Sequence, residues 1–526
     1  MTVQAAPGGN RLLLKKSIDQ VQREAGSHAL KRTLGPINLV MLGIGCIIGA
    51  GIYVITGSAA ANYAGPAVLL SFVIAGLACA FAGLCYAELA STMPVAGSAY
   101  TYSYTTLGEL FAWIMGWLLV LEYGVAAAVV AAGWSGNVVS LLDQFGVAVP
   151  AALSTPFVNG VTGADGALTF QAGAGFNLVA LLGILAVTAL LVLGISESAK
   201  VNNVIVFIKV GILLLFIGMG VAFINADNYV PFIPENEGGF KYGWMGILRG
   251  ASVVFFAYVG FEAVSTAAAE AKNPAKDIPV GILGSLAVCT LIYMATAAVL
   301  TGIVPFRELG VPAPVALAVD RMGLPWFSIL IKVGTVAGLS SVMLILTYGQ
   351  SRIFYAMARD GLLPRVFATL HPKFQTPWIG TIILGGLIAL SAATLPITIL
   401  GDLTSLGTAA AFAIVCFSTL RLRKTRPDLH RPFTAPFGAV VPWLGILFAA
   451  IMIVPVLADL AGKAANGDPI PALLLATFAV IGALIYILYG RKHSRLAQGL
   501  GQIGDDAPGD TTPQQAFGHG VGDTNA

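Results

Sequence analysis

The chain has 526 residues, of which 57% are hydrophobic and only 10% are charged, with 28 basic and 25 acidic residues. Soluble globular proteins carry about 25% charged and about 45–50% apolar residues. Because so few charges cannot cover a water-exposed surface, the composition predicts a membrane protein. It excludes a cytosolic enzyme, a secreted disulfide-rich protein and a disordered chain.

Apolar runs recur along the chain between a basic N-terminal segment and a polar C-terminal one. A transmembrane helix needs about 20 such residues. The predicted transmembrane helices cover residues 37–62, 66–92, 105–141, 174–194, 202–224, 243–268, 279–303, 325–357, 377–396, 400–421, 439–462 and 470–490. The sequence therefore predicts an all-α integral membrane protein with about twelve transmembrane helices.

The two ends of the chain are predicted to be cytoplasmic tails. Two interpretations stay open for the basic residues 11–33 of the N-terminal tail 1–33: an amphipathic helix on the inner leaflet, or basic charge that only marks the cytoplasmic side. From about Leu496 the chain is rich in Gly, Asp, Thr, Gln and Pro. This composition predicts that residues 491–526 form a disordered tail.

The distribution of basic residues predicts the orientation. Most Lys and Arg residues fall in the two tails and in alternate loops. Since cytoplasmic loops carry the excess of basic residues, both termini are expected in the cytoplasm. The protein is then expected in the inner (plasma) membrane of the cell, with lipid around it.

The first predicted helix contains an unusual concentration of glycine, in GIGCIIGAGIYV. Each of Gly43, Gly45, Gly49 and Gly51 costs a helix about 1 kcal/mol relative to alanine. One interpretation is close helix packing through small residues four apart. The other is a helix that is broken around Gly49–Gly51 and binds a ligand with its exposed backbone.

The sixth predicted helix favours the second interpretation. It places Gly260 and Glu262 deep in an apolar segment, and a carboxylate inside a membrane usually faces a cavity or a partner. Interruptions at corresponding positions of two halves indicate a transporter built from an inverted repeat. The predicted divisions are a first five-helix repeat at 34–224, a second at 225–421 and helices 11 and 12 within 422–490.

Among the charged residues inside the predicted helices, three are candidate functional groups: Lys209, Glu122 and Glu262. Lys209 lies too deep to reach the interface easily, so it is either a proton carrier or a static structural charge. Glu122 needs a partner or a proton; Lys209 and the first-helix break are candidate partners, and a protonated structural role stays open. For Glu262, a role in an outer gate and a role in the proton path are both open.

Cysteine and histidine give no pattern typical of a metal site or of an enzyme. The five cysteines lie in apolar runs and the five histidines in tails or loops, so no nucleophile–histidine pair can be assembled inside the membrane. The sequence therefore predicts no metal, no cofactor and no enzymatic activity.

Four segments together resemble the amino acid–polyamine–organocation superfamily, and most closely the bacterial members of its cationic amino acid transporter branch. They are GIGCIIGAGIYVITG, YAELASTMPVAGSAYTYSYTTLGE, FFAYVGFEAVSTAAAEAKNPAKDIPVGI and GQSRIFYAMARDGLLP. The resemblance implies a five-plus-five inverted repeat of the leucine-transporter type followed by two extra helices. It also implies secondary transport of L-amino acids by alternating access, commonly coupled to protons.

The resemblance implies a site for the amino acid head group made of backbone. Amides of Gly49, Ala50 and Gly51, at a helix start, suit a carboxylate. By motif matching, the carbonyl groups expected to accept from the ammonium belong to Ile47, Phe256 and Val259. Ala257 and Gly260 complete the predicted substrate-binding set.

Side chains are expected to set the gate and the size of the pocket. Phe256 occupies the family's aromatic gate position, although an ordinary core phenylalanine is the alternative. Ala126, Ser341 and Met343 are predicted pocket liners, and a methionine there favours small neutral substrates over cationic ones. The resemblance also implies that the Lys209 ammonium stands in for a cation between helices 1, 5 and 8.

The predicted partners are an L-amino acid, protons and membrane lipid, without nucleic acid; a small membrane-protein partner stays open. An amino acid or polyamine exchanger of the same fold is the alternative to proton symport. An ion channel is the alternative from another class, but it requires rings of groups from several subunits.

Overall fold

The computed structural model describes residues 14–17, 33–94, 97–162, 168–194 and 199–499. Within these ranges, nine helices are long and apolar enough to cross a membrane, and three shorter apolar helices accompany them. The predicted all-α, multi-span membrane fold is confirmed.

The spans are numbered α1 to α12, and α1 and α6 each consist of two halves. They are α1a Pro36–Ile47, α1b 51–64, α2 Val68–Thr92, α3 Glu109–Gln144, α4 Leu178–Val192, α5 Ala199–Gly220, α6a Gly243–Val254 with the turn Phe255–Tyr258, α6b Ala263–Thr266 with the turn Ala267–Glu270, α7 Pro274–Ile303, α8 Pro325–Arg359, α9 Trp378–Thr394, α10 Ile397–Thr425, α11 Val440–Ala465 and α12 Ile470–His493. Two short helices connect spans, Ser98–Thr106 between α2 and α3 and Pro314–Arg321 between α7 and α8.

Helices that are five apart in the order of spans pack against each other. The pairs are α2 with α7, α3 with α8, and α4 with α9. The broken helices pack in a matching way, since α1a packs on α7 and α6a packs on α2. Because an odd number of membrane crossings separates two spans that are five apart, the two helices of each such pair run in opposite directions.

The described segments nearest the two termini, residues 14–17 and 491–499, lie on one side of the helix bundle, called here the terminal face. Lys16 Nζ is 2.6 Å from Asp360 Oδ1 at the end of α8. The amide of Glu109, at the start of α3, donates to Leu14 O at 2.9 Å. From the other end of the chain, the Arg495 amide donates to Asp360 O at 3.1 Å.

The start of the predicted C-terminal tail is folded. Residues Arg491–His493 are helical, and Ser494 is fully buried and donates a hydrogen bond to Glu109. These partners, far away in sequence, explain why composition placed the beginning of the tail too early. The tail beyond residue 499 and most of the proposed amphipathic helix at 11–33 lie outside the described residues.

A small β-hairpin between α3 and α4 was absent from the helical prediction. Strands β1 Val158–Thr162 and β2 Leu168–Ala172 are antiparallel. The amide of Phe170 donates to Asp468 Oδ2 at 2.8 Å, which ties the hairpin to the connection between α11 and α12. Strands of five residues outside the membrane carry too weak a pattern to stand out among long apolar runs.

Buried ion pairs join α10 to other helices at both of its ends. At the terminal face, Arg423 donates to both carboxylate oxygens of Glu88 on α2, which is 1% exposed. At the opposite face, the fully buried Arg249 of α6a lies 2.6 Å from Asp402 of α10 and 3.0 Å from Asp459 of α11.

Two ion pairs at the surface involve Glu237, which lies in the loop before α6; one partner, Arg307, lies in the segment after α7. Arg307 Nη2 donates to Glu237 Oε1 at 2.5 Å, and Lys241 Nζ lies 2.9 Å from Glu237 Oε2. The hydrogen bonds from Arg307 and then Lys241 lower the pKa of Glu237 from 4.5 to about 2.

Candidate substrate site and buried charges

The chain leaves helical geometry at one place in α1 and at one place in α6. Helix α1a ends at Ile47, and Ile48 has extended backbone with φ −71° and ψ 101°. In α6, Val259 leaves helical geometry with φ −56° and ψ 133° and Gly260 has φ +114°, before α6b begins at Ala263. The breaks therefore cover 48–50 and 259–262, the first starting one residue before the predicted Gly49–Gly51.

Glycine allows the two broken helices to touch through their backbones. A Cβ atom on Gly51 would lie 2.2 Å from Cα of Ala257. A Cβ atom on Gly260 would lie 2.8 Å from the carbonyl oxygen of Cys46, and its positive φ also favours glycine. The start of α1b thus packs against α6 just before the break in α6. The break in α6 in turn packs against α1a just before the break in α1.

The two breaks present backbone amides and carbonyls near each other. The amides of the predicted carboxylate-binding residues lie at the start of α1b, where a helix leaves its first amides without intrahelical partners. Two of the three predicted ammonium acceptors already have one donor: Tyr293 donates to Ile47 O at 2.7 Å, and the Val259 amide donates to Phe256 O at 3.1 Å. A carbonyl oxygen has two lone pairs and can accept a second hydrogen bond.

The predicted gate and pocket side chains are all buried. Phe256 is 5% exposed, and Ala126, Ser341 and Met343 are 0%, 4% and 1% exposed. The α8 residue that faces the first break closely is Val342, because a Cβ atom on Gly49 would lie 3.2 Å from its Cγ1. Sequence reasoning missed Val342, which is an ordinary residue in an apolar helix.

Glu262 is bound to the break of its own helix. Its Oε2 accepts from the Gly260 amide at 2.9 Å, and its Oε1 accepts from the Tyr123 hydroxyl at 3.1 Å. The carboxyl group of Glu122 interacts with that of Glu262 without ordinary hydrogen-bond geometry. Glu122 therefore has Glu262 as its neighbour, which was not among its expected partners, and Tyr123 was not identified from the sequence.

Lys209 connects three helices. Its Nζ donates to Gly45 O, near the end of α1a, at 3.0 Å. Its aliphatic chain lies along Gly338 of α8, where an added Cβ atom would be 3.2 Å from Lys209 Cγ. The residue is 1% exposed. Lys209 thus lies between α1, α5 and α8, the location that the family resemblance implies.

In the part of the chain that the structure describes, no group of three or more His, Cys, Asp and Glu side chains could hold a metal ion. Around the two breaks lie backbone dipoles, the carboxyl groups of Glu122 and Glu262, and the ammonium group of Lys209.

Comparison with known proteins agrees with this architecture. The family model described as amino acid permease matches residues 34–484. A methylthioribose transporter of Bacillus subtilis (strain 168) is 44% identical, covering 92% of this chain and 99% of the relative. The branched-chain amino acid permease BcaP of the same organism is 43% identical, covering 92% and 98%. The vacuolar cationic amino acid transporter 4 of Arabidopsis thaliana is 38% identical, covering 80% and 68%.

These relatives are permeases and transporters rather than enzymes, and the family match runs from just before α1a into α12. The chain therefore belongs to the amino acid permease family, within the amino acid–polyamine–organocation superfamily.

Proposed function

We propose that this protein is a secondary active transporter that carries L-amino acids by alternating access and proton-coupled symport. The observation that carries the proposal is the pair of facing breaks in α1 and α6. Backbone amides at the start of α1b attract the substrate carboxylate through the helix dipole, and carbonyl oxygens at both breaks accept hydrogen bonds from its ammonium group. Every L-α-amino acid has these two groups, so the backbone binds the common part.

The side chain of the substrate then occupies the space bounded by Phe256, Ala126, Ser341 and Met343. A methionine in this wall favours small or branched neutral side chains. The names of the relatives include a branched-chain permease, a cationic transporter and a methylthioribose transporter. Competition of each substrate class against labelled leucine tests the size argument: excess arginine that competes better than leucine contradicts it.

The terminal face is the cytoplasmic one in this proposal, and the membrane is the inner membrane of the cell. Basic residues concentrate in both tails and in the loops of that face, as expected for cytoplasmic segments. Labelling of single cysteines added near each terminus, in intact cells and after permeabilisation, tests this orientation.

The proton sites are the Glu122–Glu262 pair and Lys209. Two carboxyl groups that interact inside a membrane cannot both carry a charge, so the pair holds at least one proton. Lys209 donates to a carbonyl near the C-terminal end of α1a, where a helix dipole favours a cation. Loss of its proton weakens this bond and allows α1a to move.

The test is uptake of radiolabelled leucine into proteoliposomes with an imposed pH gradient. Lys209→Met and Glu122→Gln should lower gradient-driven accumulation at least tenfold while substrate binding remains. Lys332→Met is the matched control, because it removes a lysine that is 2% exposed and pairs with Asp320 at the opposite face. Full accumulation by the Lys209 variant would eliminate its coupling role.

The same vesicles separate symport from exchange and from a channel. Accumulation that requires amino acid inside the vesicle, and is unaffected by the pH gradient, identifies an exchanger. A conductance that is independent of substrate identifies a channel.

A further inference from the structure

A groove of about 630 Å³, called here the α12 groove, runs between α12 and the rest of the helix bundle. Its walls come from α3, α10, α11 and α12, and its lining residues are apolar, aromatic or glycine except for Arg491 at one end. The rim includes Ile114, Leu457 and Ile487, which are 37%, 44% and 55% exposed. The groove therefore opens on the surface that a membrane covers, and the residues of the two helix breaks do not line it.

Four stacked rings form one side of the groove, called here the aromatic wall: Phe478, Trp117, Trp113 and Tyr486. Successive ring centroids are 4.9, 5.9 and 5.5 Å apart. Trp117 Nε1 donates to Phe478 O at 3.0 Å, and a Cβ atom on Gly482 would lie 2.3 Å from the same nitrogen. These contacts hold the indole of Trp117 as a spacer between α3 and α12, so the two helices cannot close the groove without displacing it.

The groove has the length of one leaflet of a bilayer. Along α3 its lining residues run from Leu110 to Leu121, which is about 16 Å at 1.5 Å per residue. The hydrocarbon core of a bilayer is about 30 Å thick, so one leaflet contributes about 15 Å. Because closely packed proteins leave few voids larger than a water molecule, an apolar space of this size inside the bilayer requires an apolar occupant. The acyl chain of a lipid has the matching length and chemistry.

The end of the groove at the terminal face carries a positive charge. A π-turn at Tyr486–Gly490 precedes Arg491, whose amide donates to Tyr486 O. Residues five apart in an α-helix are separated by about 140° around the axis, whereas the i→i+5 bond of a π-turn brings them to the same side. The turn therefore places Arg491 on the side of α12 that carries Tyr486, and both residues line the groove.

The guanidinium group of Arg491 is open to an anion from outside the protein. The residue is exposed, and within the described residues it makes no ion pair. Glu109, at the start of α3, is 2% exposed and does not line the groove. Its carboxylate accepts hydrogen bonds from Tyr486 at 3.4 Å and from Tyr104 at 3.2 Å. The charge of Arg491 is thus not opposed by any acidic residue that lines the groove.

We propose that the α12 groove binds one anionic phospholipid, whose phosphate pairs with Arg491 and whose acyl chain lies along the aromatic wall. Arginine donates two parallel hydrogen bonds to a phosphate, and basic pockets between transmembrane helices bind anionic headgroups. The lipid fills the space between α12 and α10 and so holds α12 to the bundle. This site is separate from the proposed substrate site and does not depend on proton coupling.

The test measures quenching of tryptophan fluorescence by lipids with brominated acyl chains. The full-length protein, depleted of lipid in detergent, is titrated with brominated phosphatidylglycerol, which is anionic, or brominated phosphatidylcholine, which has no net charge. The anionic lipid should quench the wild type at about fivefold lower concentration, the effect expected of one basic residue. Arg491→Gln should respond equally to both lipids. Lys492→Gln is the matched control and should keep the preference, because this exposed neighbour does not line the groove.

A double variant, Trp113→Phe with Trp117→Phe, locates the bound lipid. It keeps an aromatic wall but removes the two fluorescent reporters, so the preference for anionic lipid should disappear from the signal. Trp443→Phe is its control, because it removes a tryptophan of α11 that is 58% exposed and lies outside the groove; the preference should persist. A cooperative thermal transition verifies that each variant is folded.

Three results would overturn the proposal. Equal quenching of the wild type by both lipids, or a preference that survives in Arg491→Gln, shows that Arg491 does not select the headgroup. A preference that survives in the double tryptophan variant places the anionic lipid outside the groove. A disulfide between two copies of Ala483→Cys, formed despite excess phosphatidylglycerol, identifies a second copy of this chain as the occupant. Leucine uptake is measured separately, so failure of the lipid site leaves the proposed function intact.

Discussion

The contact between the backbones of α1b and α6 gives the sharpest prediction about the substrate site. In Gly51→Ala, the new Cβ atom would lie 2.2 Å from Ala257 Cα and 2.4 Å from Ala257 Cβ. Carbon atoms in contact are separated by about 3.5–4.0 Å, so the two helices must move apart by roughly 1.3 Å or more. Overpacking of this kind costs about 1–3 kcal/mol.

The larger effect should be on binding, since the displaced amides are those that face the substrate carboxylate. A misplacement of about 1 Å can cost about 100-fold, which equals about 2.8 kcal/mol of binding free energy. Calorimetric titration of purified protein with leucine measures this loss of affinity. Gly211→Ala in α5 is the control, because an added Cβ atom there meets nothing within 4 Å.

A second substitution identifies which atoms clash. Ala257→Gly removes the Cβ atom but leaves the Cα atom at 2.2 Å, so it should not rescue Gly51→Ala. Rescue would show that the contact is between side chains. Leucine affinity of Gly51→Ala within threefold of the wild type would refute the argument that the breaks form the site.

Three smaller effects are expected. Gly49→Ala meets Val342 Cγ1 at 3.2 Å; it should weaken leucine binding by less than Gly51→Ala, and Val342→Ala should restore the affinity. Arg423→Ala leaves Glu88 buried without its main partner and should lower the free energy of unfolding by about 3–5 kcal/mol; addition of Glu88→Gln should recover much of this loss in denaturant titrations. The folded-state pKa of Glu237 is about 2, below its ordinary pKa of 4.5. The ion pairs of Glu237 therefore add to the free energy of unfolding above pH 4.5, and this contribution is lost as pH falls toward 2. For this exposed group it should amount to about 1 kcal/mol or less, so the difference in thermal midpoint between wild type and Glu237→Gln should be small and vanish on acidification.

The number of spans, their limits and the two breaks could be predicted because each depends on local composition. A run of apolar residues is long enough to span lipid wherever it folds, and the glycines around Gly49 and Gly260 weaken a helix whatever packs on them. The position of Lys209 between three helices followed from the family resemblance rather than from its own neighbours in sequence.

Partners far apart in sequence could not be predicted. Glu122 and Glu262 meet only because α3 and α6 pack together, and a single sequence does not show which of several buried polar groups will face each other. The same holds for Tyr293, whose hydroxyl reaches Ile47 O from α7. Local pattern predicts that a polar group lies inside the membrane, while packing decides what it touches.

The ion pairs at the two ends of α10 restrict how a transporter of this fold can open. One pair fastens α10 to α6a and the other fastens it to α2, and both are formed in this structure. Helix α10 is therefore held to its neighbours by an ion pair near each of its two ends. If its two ends are released one at a time, the closed pair keeps the helix anchored while the other end admits water. Separation of either pair would leave a charge in a largely apolar interface unless water reached it, because an unpaired buried charge is costly.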